Sequence, residues 1–215
     1  SAAPLEMRAE DLHALNLLVL GGMPLPNDGS FTGRPDTRSS PEHQIHLSQE
    51  IIDWHLGHLT LAGIKSLVPG YPVPCGTLEY WTSHPHCDVL AGGRAARGQA
   101  ALVSLAHFEN LPGAATPVAV ALGLLDALEI PTWSDPKQLP AHLSSWTTSG
   151  MPAADFTPMP GIDLYYQFLN AGFRLPIAAG TDKSGEDIPI GSNRVYARTK
   201  GADGFAAWLE GIKEG

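Results

Sequence analysis

Apolar and polar positions along this chain fall into short runs separated by stretches rich in Gly and Pro. Asp11–Leu20 (D-L-H-A-L-N-L-L-V-L) is almost continuously apolar, the pattern of a strand buried on both faces in a parallel sheet. A short helix over Leu5–Glu10 precedes it. His43–Glu50 alternates, with Ile45 and Leu47 apolar, and predicts a strand ending near Glu50. Leu56–Ile64 alternates again and predicts a second. Ala100–Ala106 reads as a buried strand with His107 at its end, and Leu124–Ile130, Pro176–Gly180 and Asn193–Arg198 as three more. Helices are predicted over Asp88–Gln99, Pro117–Gly123, Gly161–Asn170 and Ala202–Lys213. Pro117 suits a first turn, and Gly172 suits the stop after Asn170. Gly22–Pro41, Pro69–Pro85 and Pro131–Pro160 read as long loops.

Strands that alternate with helices predict an α/β fold with a mostly parallel sheet. Chemistry in such folds gathers at the carboxyl ends of strands. Glu50, His107 and Asp182 all fall at predicted strand ends, the first sign that they meet in space.

Composition narrows the function. The chain has 215 residues, enough for one domain with a sizeable core, and 43% apolar against 16% charged residues marks it as folded. A net charge of −9, with no Lys/Arg cluster denser than Arg94 and Arg97, argues against nucleic acid as a partner. No apolar stretch is long enough to span a membrane, and Leu15–Gly22 lacks the flanks of a signal peptide. The expectation is a soluble protein of bacterial type, with the compartment (periplasmic, secreted or cytoplasmic) left open. Cys75 and Cys87 form no CxxC pattern, so zinc fingers and redox motifs are not expected; one disulfide and two free thiols fit equally well.

Nine histidines are many for this length. Imidazole nitrogen and carboxylate oxygen are the ligand types that divalent zinc, manganese and iron accept, often with a position left to water. Such an ion brings a hydroxide within reach at neutral pH. Glu50, His58, His107 and Asp182 supply the right atoms. His84 and His86, flanking Pro85, form an H-x-H candidate for metal or substrate contact, set against a plain surface loop. His43, His46 and His55 read as packing or surface residues, with His46 the one expected to face the site. Cys87 beside His86 is a weak nucleophile pair, since sequence neighbours rarely face each other. Glu129 is a candidate acceptor behind a ligand histidine. Lys183 is a candidate for stabilising an oxyanion.

Several segments resemble the PHP superfamily of metal-dependent hydrolases, and its carbaryl-hydrolase-like branch most. Q-E-I-I-D-W-H-L-G-H-L-T-L (Gln49–Leu61) is similar to the family's Glu-then-Gly-His-Leu element. A-L-V-S-L-A-H (Ala101–His107) is similar to its strand ending in a ligand His, and L-D-A-L-E-I (Leu125–Ile130) to the strand after it. F-L-N-A-G-F-R-L-P-I-A-A-G-T-D-K (Phe168–Lys183) resembles its late Asn-Gly-Arg-Leu-Pro element. With N-R-V-Y (Asn193–Tyr196), the resemblance covers most of the chain from Asp11 onward.

The resemblance implies a single domain over residues 1–215, a partial, distorted (β/α) barrel of PHP type. It implies that Glu50 bridges metals, that His58 and His107 are imidazole ligands, and that Asp182 is a carboxylate ligand beside the nucleophilic water. The implied activity is hydrolysis of a small-molecule ester, amide or carbamate by a metal-held hydroxide, with phosphoester hydrolysis as the alternative. The departures are specific. Leu15 stands where D-L-H-x-H would place a second His, so Asp11–Leu20 looks like the family's following strand, with the H-x-H strand expected upstream of Ser1 or on a second chain. Val19 and Leu20 replace an Asp-His pair, and Lys183 and Ser184 follow Asp182 where a His is usual. A degenerate or fragmentary domain with a binding or structural role is the rival expectation.

Overall fold

The computed structural model describes residues 2–20, 30–53, 56–68, 88–108, 113–130, 160–183, 189–201 and 204–215. A six-stranded sheet holds them together in the order β1 (Ala14–Leu20), β2 (Gln44–Asp53), β3 (Gly57–Ala62), β4 (Leu102–Ala106), β5 (Ala127–Glu129) and β6 (Ile177–Ala178). The pairs β1–β2, β4–β5 and β5–β6 are parallel. The hairpin strand β3 runs antiparallel to both of its neighbours. The fold is therefore α/β with a mostly parallel sheet. Among the described residues no pairing joins β1 to β6.

The register sorts the side chains into two faces, because successive residues of a strand point to opposite sides. Gln44, His46, Ser48 and Glu50 share one face of β2. Across the sheet they stand level with Ala14, Asn16 and Leu18 on β1, with His58 and Thr60 on β3, and with Ser104 and Ala106 on β4. Glu129 continues this row on β5. The other face carries Ile51, Leu59, Leu61, Val103, Leu105 and Leu128, all buried in the main core.

Three helices cover that apolar face: α2 (Val89–Arg97), α3 (Thr116–Ala121) and α4 (Pro160–Asn170). Asp88 starts α2 by accepting from the Ala91 amide at 2.8 Å, and Pro117 opens α3 where its missing N–H costs nothing. They contribute Val89, Ala96, Ala119, Val120 and Phe168 to the core.

Among the described residues, α5 (Phe205–Glu214) is the helix that covers one end of the polar face. Phe205, Leu209 and Ile212 recur at helical spacing and bury against Ala62, Leu102, Ala127 and Ala178. Each large apolar side chain so buried stabilises by about 1.5–3 kcal/mol. The Phe205 amide donates to Gln44 Oε1 at 3.1 Å, which fixes the helix start against β2. The remainder of this face opens into a cleft of about 990 Å³. A short α1 (Ala3–Ala9) is held by fully buried Met7 against Leu12, Ile45 and Ile190.

Three expectations need correction. β1 is not buried on both faces: among the described residues it lies at the sheet edge with only β2 beside it, and Ala14–Leu18 are half-buried. Glu50 is not at a strand end, because β2 continues to Asp53, whose carboxylate accepts from the Leu56 amide at 2.8 Å and so sets the turn into β3. Among the described residues Asn193–Arg198 joins no ladder. The Asn193 carbonyl accepts from the Thr181 hydroxyl, and the Arg194 guanidinium donates to the Gly191 carbonyl and to the carbonyl and carboxylate of Glu10. Cys75, His55, His84, His86 and Cys87, and most of the three predicted long loops, lie outside the described residues. No helix among the described residues is long and apolar enough to cross a membrane.

Candidate metal centre

Three strands each deliver one polar side chain to the same point. Glu50 comes from β2, His58 from the start of β3, and His107 from the residue after β4. The antiparallel register sets Ile52 opposite His58 and His58 opposite Ala106, so the inward-facing positions converge. Glu50 Oε1 lies 3.3 Å from His58 Nδ1 and 3.5 Å from His107 Nε2. A single carboxylate oxygen thus faces both imidazoles, whose rings meet edge to face with centroids 5.4 Å apart. One ligand atom from each of the three residues lies within 4.8 Å of the other two, and all three residues are buried. This group can hold a metal ion. Its two imidazoles and one carboxylate are the mixed N/O donor set that zinc, manganese and iron accept.

His107 and Asp182 share a backbone feature. Their φ angles are 54° and 49°, in the left-handed region that few residues other than glycine enter. Each comes shortly after a strand, so the left-handed residue turns the chain out of the sheet at the point where its side chain is needed. Asp182 Oδ2 lies 3.9 Å from His107 Nε2. Its side chain is 30% exposed, so it stands at the rim of the centre, outside the compact group of three.

Glu129, at the end of β5, accepts from the His107 amide at 3.2 Å. It packs so closely on Gly180 that a Cβ there would sit 2.1 Å from Glu129 Oε1. Position 180 therefore takes no side chain without displacing Glu129. The expected link from Glu129 to the His107 ring is replaced by one to the His107 backbone. Lys183 lines the cleft, with its ammonium 3.7 Å from the Glu6 carboxylate of α1.

The electrostatics follow from burial and proximity. Burial opposes charge on Glu50, but the His107 and His58 hydrogen bonds outweigh it and bring the carboxyl down to about 2. Burial likewise opposes the His107 imidazolium, yet the Glu50 hydrogen bond and the charges of Glu129, Glu50 and Asp182 push it up to about 9. Burial, helped by the charges of Glu50 and Asp182, drives Glu129 up to about 7, against the pull of His107. Asp182 is raised, mainly by burial. Without an ion, these groups behave as a buried acid–base pair ringed by two reluctant carboxylates.

His46 does face this side of the sheet, as expected, but it does not reach the centre. It stacks on Phe205 with ring centroids 3.6 Å apart, and its burial lowers its pKa to about 4. Sequence reasoning missed the roles of α1 and of the inner row. Glu6 and Glu10 engage Lys183 and Arg194, and Ser48 donates to Asn16 Oδ1 at 2.9 Å. The alternating polar positions Gln44, His46, Ser48 and Glu50 were the available signal of a strand face lined with polar groups. Comparison with protein-family models, with curated proteins and with solved structures returns no match to this chain.

Proposed function

We propose that this chain is a metal-dependent hydrolase of the PHP kind, built on a partial, distorted barrel. Its centre comprises Glu50, His58 and His107, with Asp182 as the outer carboxylate. The observation that carries the reading is the convergence of two imidazoles and one carboxylate, all buried, from three different strands. A chance surface cluster would not be buried, and a purely structural polar cluster gains little from two imidazoles sharing one carboxylate oxygen. When bound, a divalent ion would polarise the bond under attack and make water acidic enough to supply hydroxide near neutral pH.

The chain's own residues divide the remaining work. Glu50 presents one oxygen to both imidazoles and is the carboxylate suited to bridging. Asp182, partly exposed and with a raised pKa, is the group positioned to hold a proton taken from water entering by the cleft. Glu129 fixes the His107 backbone and so orients its ring. Lys183 supplies positive charge at the rim for an oxyanion.

The cleft favours a carboxylic or carbamic ester or amide over a phosphoester. Arg174 is exposed and is not among the described residues lining the cleft. Arg194 is engaged by Glu10 and Gly191. Lys183, 3.7 Å from Glu6, and Arg194 are the Lys and Arg side chains among the described residues that line the cleft, which is sparse provision for a phosphate dianion. The test is hydrolysis of 4-nitrophenyl acetate, 1-naphthyl methylcarbamate and bis(4-nitrophenyl) phosphate by the zinc- or manganese-loaded protein. The reading expects turnover of the first two, abolished in Glu50→Gln and His107→Ala. Turnover that persists in both variants, or the absence of any metal-stimulated turnover, would overturn it.

A further inference from the structure

The cleft has an unusual wall. Every residue from Asp11 to Leu18 lines it, whichever way its side chain points. The edge of β1 itself, and not merely one face of the strand, therefore borders the space. The direction of the backbone groups follows from a single bond: the His13 carbonyl accepts from the Gln44 amide at 2.9 Å, so His13 turns toward β2. Backbone groups alternate sides along a strand. Leu15 and Leu17 therefore bond to β2, while the N–H and C=O groups of Ala14, Asn16 and Leu18 point into the cleft. Among the described residues no strand pairs with that edge.

An edge strand left open is ordinarily protected by Lys, Pro or a bulge. β1 reads A-L-N-L-L-V-L and carries none of these residue types. The space in front of it, about 990 Å³, lies at the upper end of ordinary ligand sites. The cleft is also acidic. Asp11, Glu42, Glu50, Glu129 and Asp182 line it; His107 faces Glu50, and Lys183 and Arg194 already face Glu6 and Glu10 of α1, which leaves Asp11, Glu42, Glu129 and Asp182 to set its charge.

We infer that the open edge of β1 takes up an extended, positively charged polypeptide segment as an added strand, laid along the cleft that leads to Glu50 and His107. Its main chain bonds to Ala14, Asn16 and Leu18, and its inward side chains meet the acidic lining. This is strand addition, in which backbone bonds supply affinity and alternate side chains supply selectivity. The inference stands on backbone direction and charge, so it holds or fails with no metal present.

The experiment uses the whole chain in EDTA and the probe acetyl-Lys-Val-Lys-Val-Lys-Val-Lys-amide, read by amide hydrogen exchange and by fluorescence titration of a labelled copy. The expected result is saturable binding that slows exchange at Ala14, Asn16 and Leu18 by tenfold or more, with little change at Leu15 and Leu17. A probe N-methylated at alternate residues should fail to bind, since it lacks the donors. A twin with Glu in place of Lys should bind at least tenfold more weakly. No protection at those three amides, or equal protection by the N-methylated probe, would overturn the inference. So would concentration-dependent protection of the same amides without any probe, which would assign the edge to a second copy of the chain.

Discussion

Replacing Glu50 by Gln removes a carboxylate that faces two buried imidazoles while keeping the side chain's size. The linkage can be worked from the site. Glu50 is brought from 4.5 to about 2, so its contribution is present above 4.5 and lost as pH falls toward 2. His107 is raised from 6.5 to about 9, so its contribution is present below 6.5 and lost as pH rises through 9. The pair is therefore at full strength between 4.5 and 6.5. The His107 displacement corresponds to roughly 3 kcal/mol, comparable to the lower end of what breaking a buried ion pair costs. Urea unfolding in EDTA at about pH 6 should show Glu50→Gln less stable by about 3 kcal/mol, a midpoint lower by roughly 1 M for a chain of this size. Near pH 10 most of that difference should vanish, because His107 is neutral in both proteins. A difference below about 0.5 kcal/mol at pH 6, or one equally large at pH 10, would refute the charged Glu50–His107 pair.

Three further outcomes follow from the same geometry. His46 is held neutral by burial against Phe205, with its pKa lowered from 6.5 to about 4. The unfolded chain therefore binds the extra proton first, and stability should fall by up to about 3 kcal/mol as pH drops from 6.5 to 4. His46→Phe should flatten that limb in acid unfolding curves, and an unchanged slope would count against the assignment. Gly180→Ala places a methyl against Glu129, and should cost about 1–3 kcal/mol in thermal or urea unfolding and weaken zinc binding; wild-type behaviour would show that Glu129 moves aside freely. Zinc binding at pH 7 should release close to one proton, since His107 must lose its proton to act as a ligand. Calorimetry in buffers of different ionisation enthalpy measures this, and a release near zero would mean that His107 is not a ligand.

Much of the sheet was legible in local patterning. The first half of β2 and β3 alternate, and the apolar runs at β4 and β5 sit where predicted, because half-buried and fully buried strands impose those patterns directly. The site residues were legible for a different reason: Glu50 and His107 offer metal-donor atoms at predicted strand ends, and His58 falls in the Gly-His-Leu segment that resembles a metal-hydrolase element. What the sequence hides is set by tertiary neighbours. The apolar run of β1 reads as a central strand, yet its position at the sheet edge depends on what else pairs with it, which no local pattern encodes. Asn193–Arg198 has β-branched and aromatic residues, but Asn193 and Arg194 bond to Thr181, Gly191 and Glu10, and no described strand pairs with the segment. The clasp of Glu6 and Glu10 on Lys183 and Arg194 joins residues more than 170 positions apart, with no spacing rule to announce it.

The most direct test of the metal centre is loading of the chain itself. The protein is stripped with EDTA, dialysed against zinc or manganese, freed of excess ion, and analysed by elemental mass spectrometry beside His58→Ala and His107→Ala. The account predicts about one tightly held ion per wild-type chain and a loss of most of it in either variant, with both variants still folded by circular dichroism. Wild-type protein that retains no ion, or folded variants that retain as much as wild type, would contradict it.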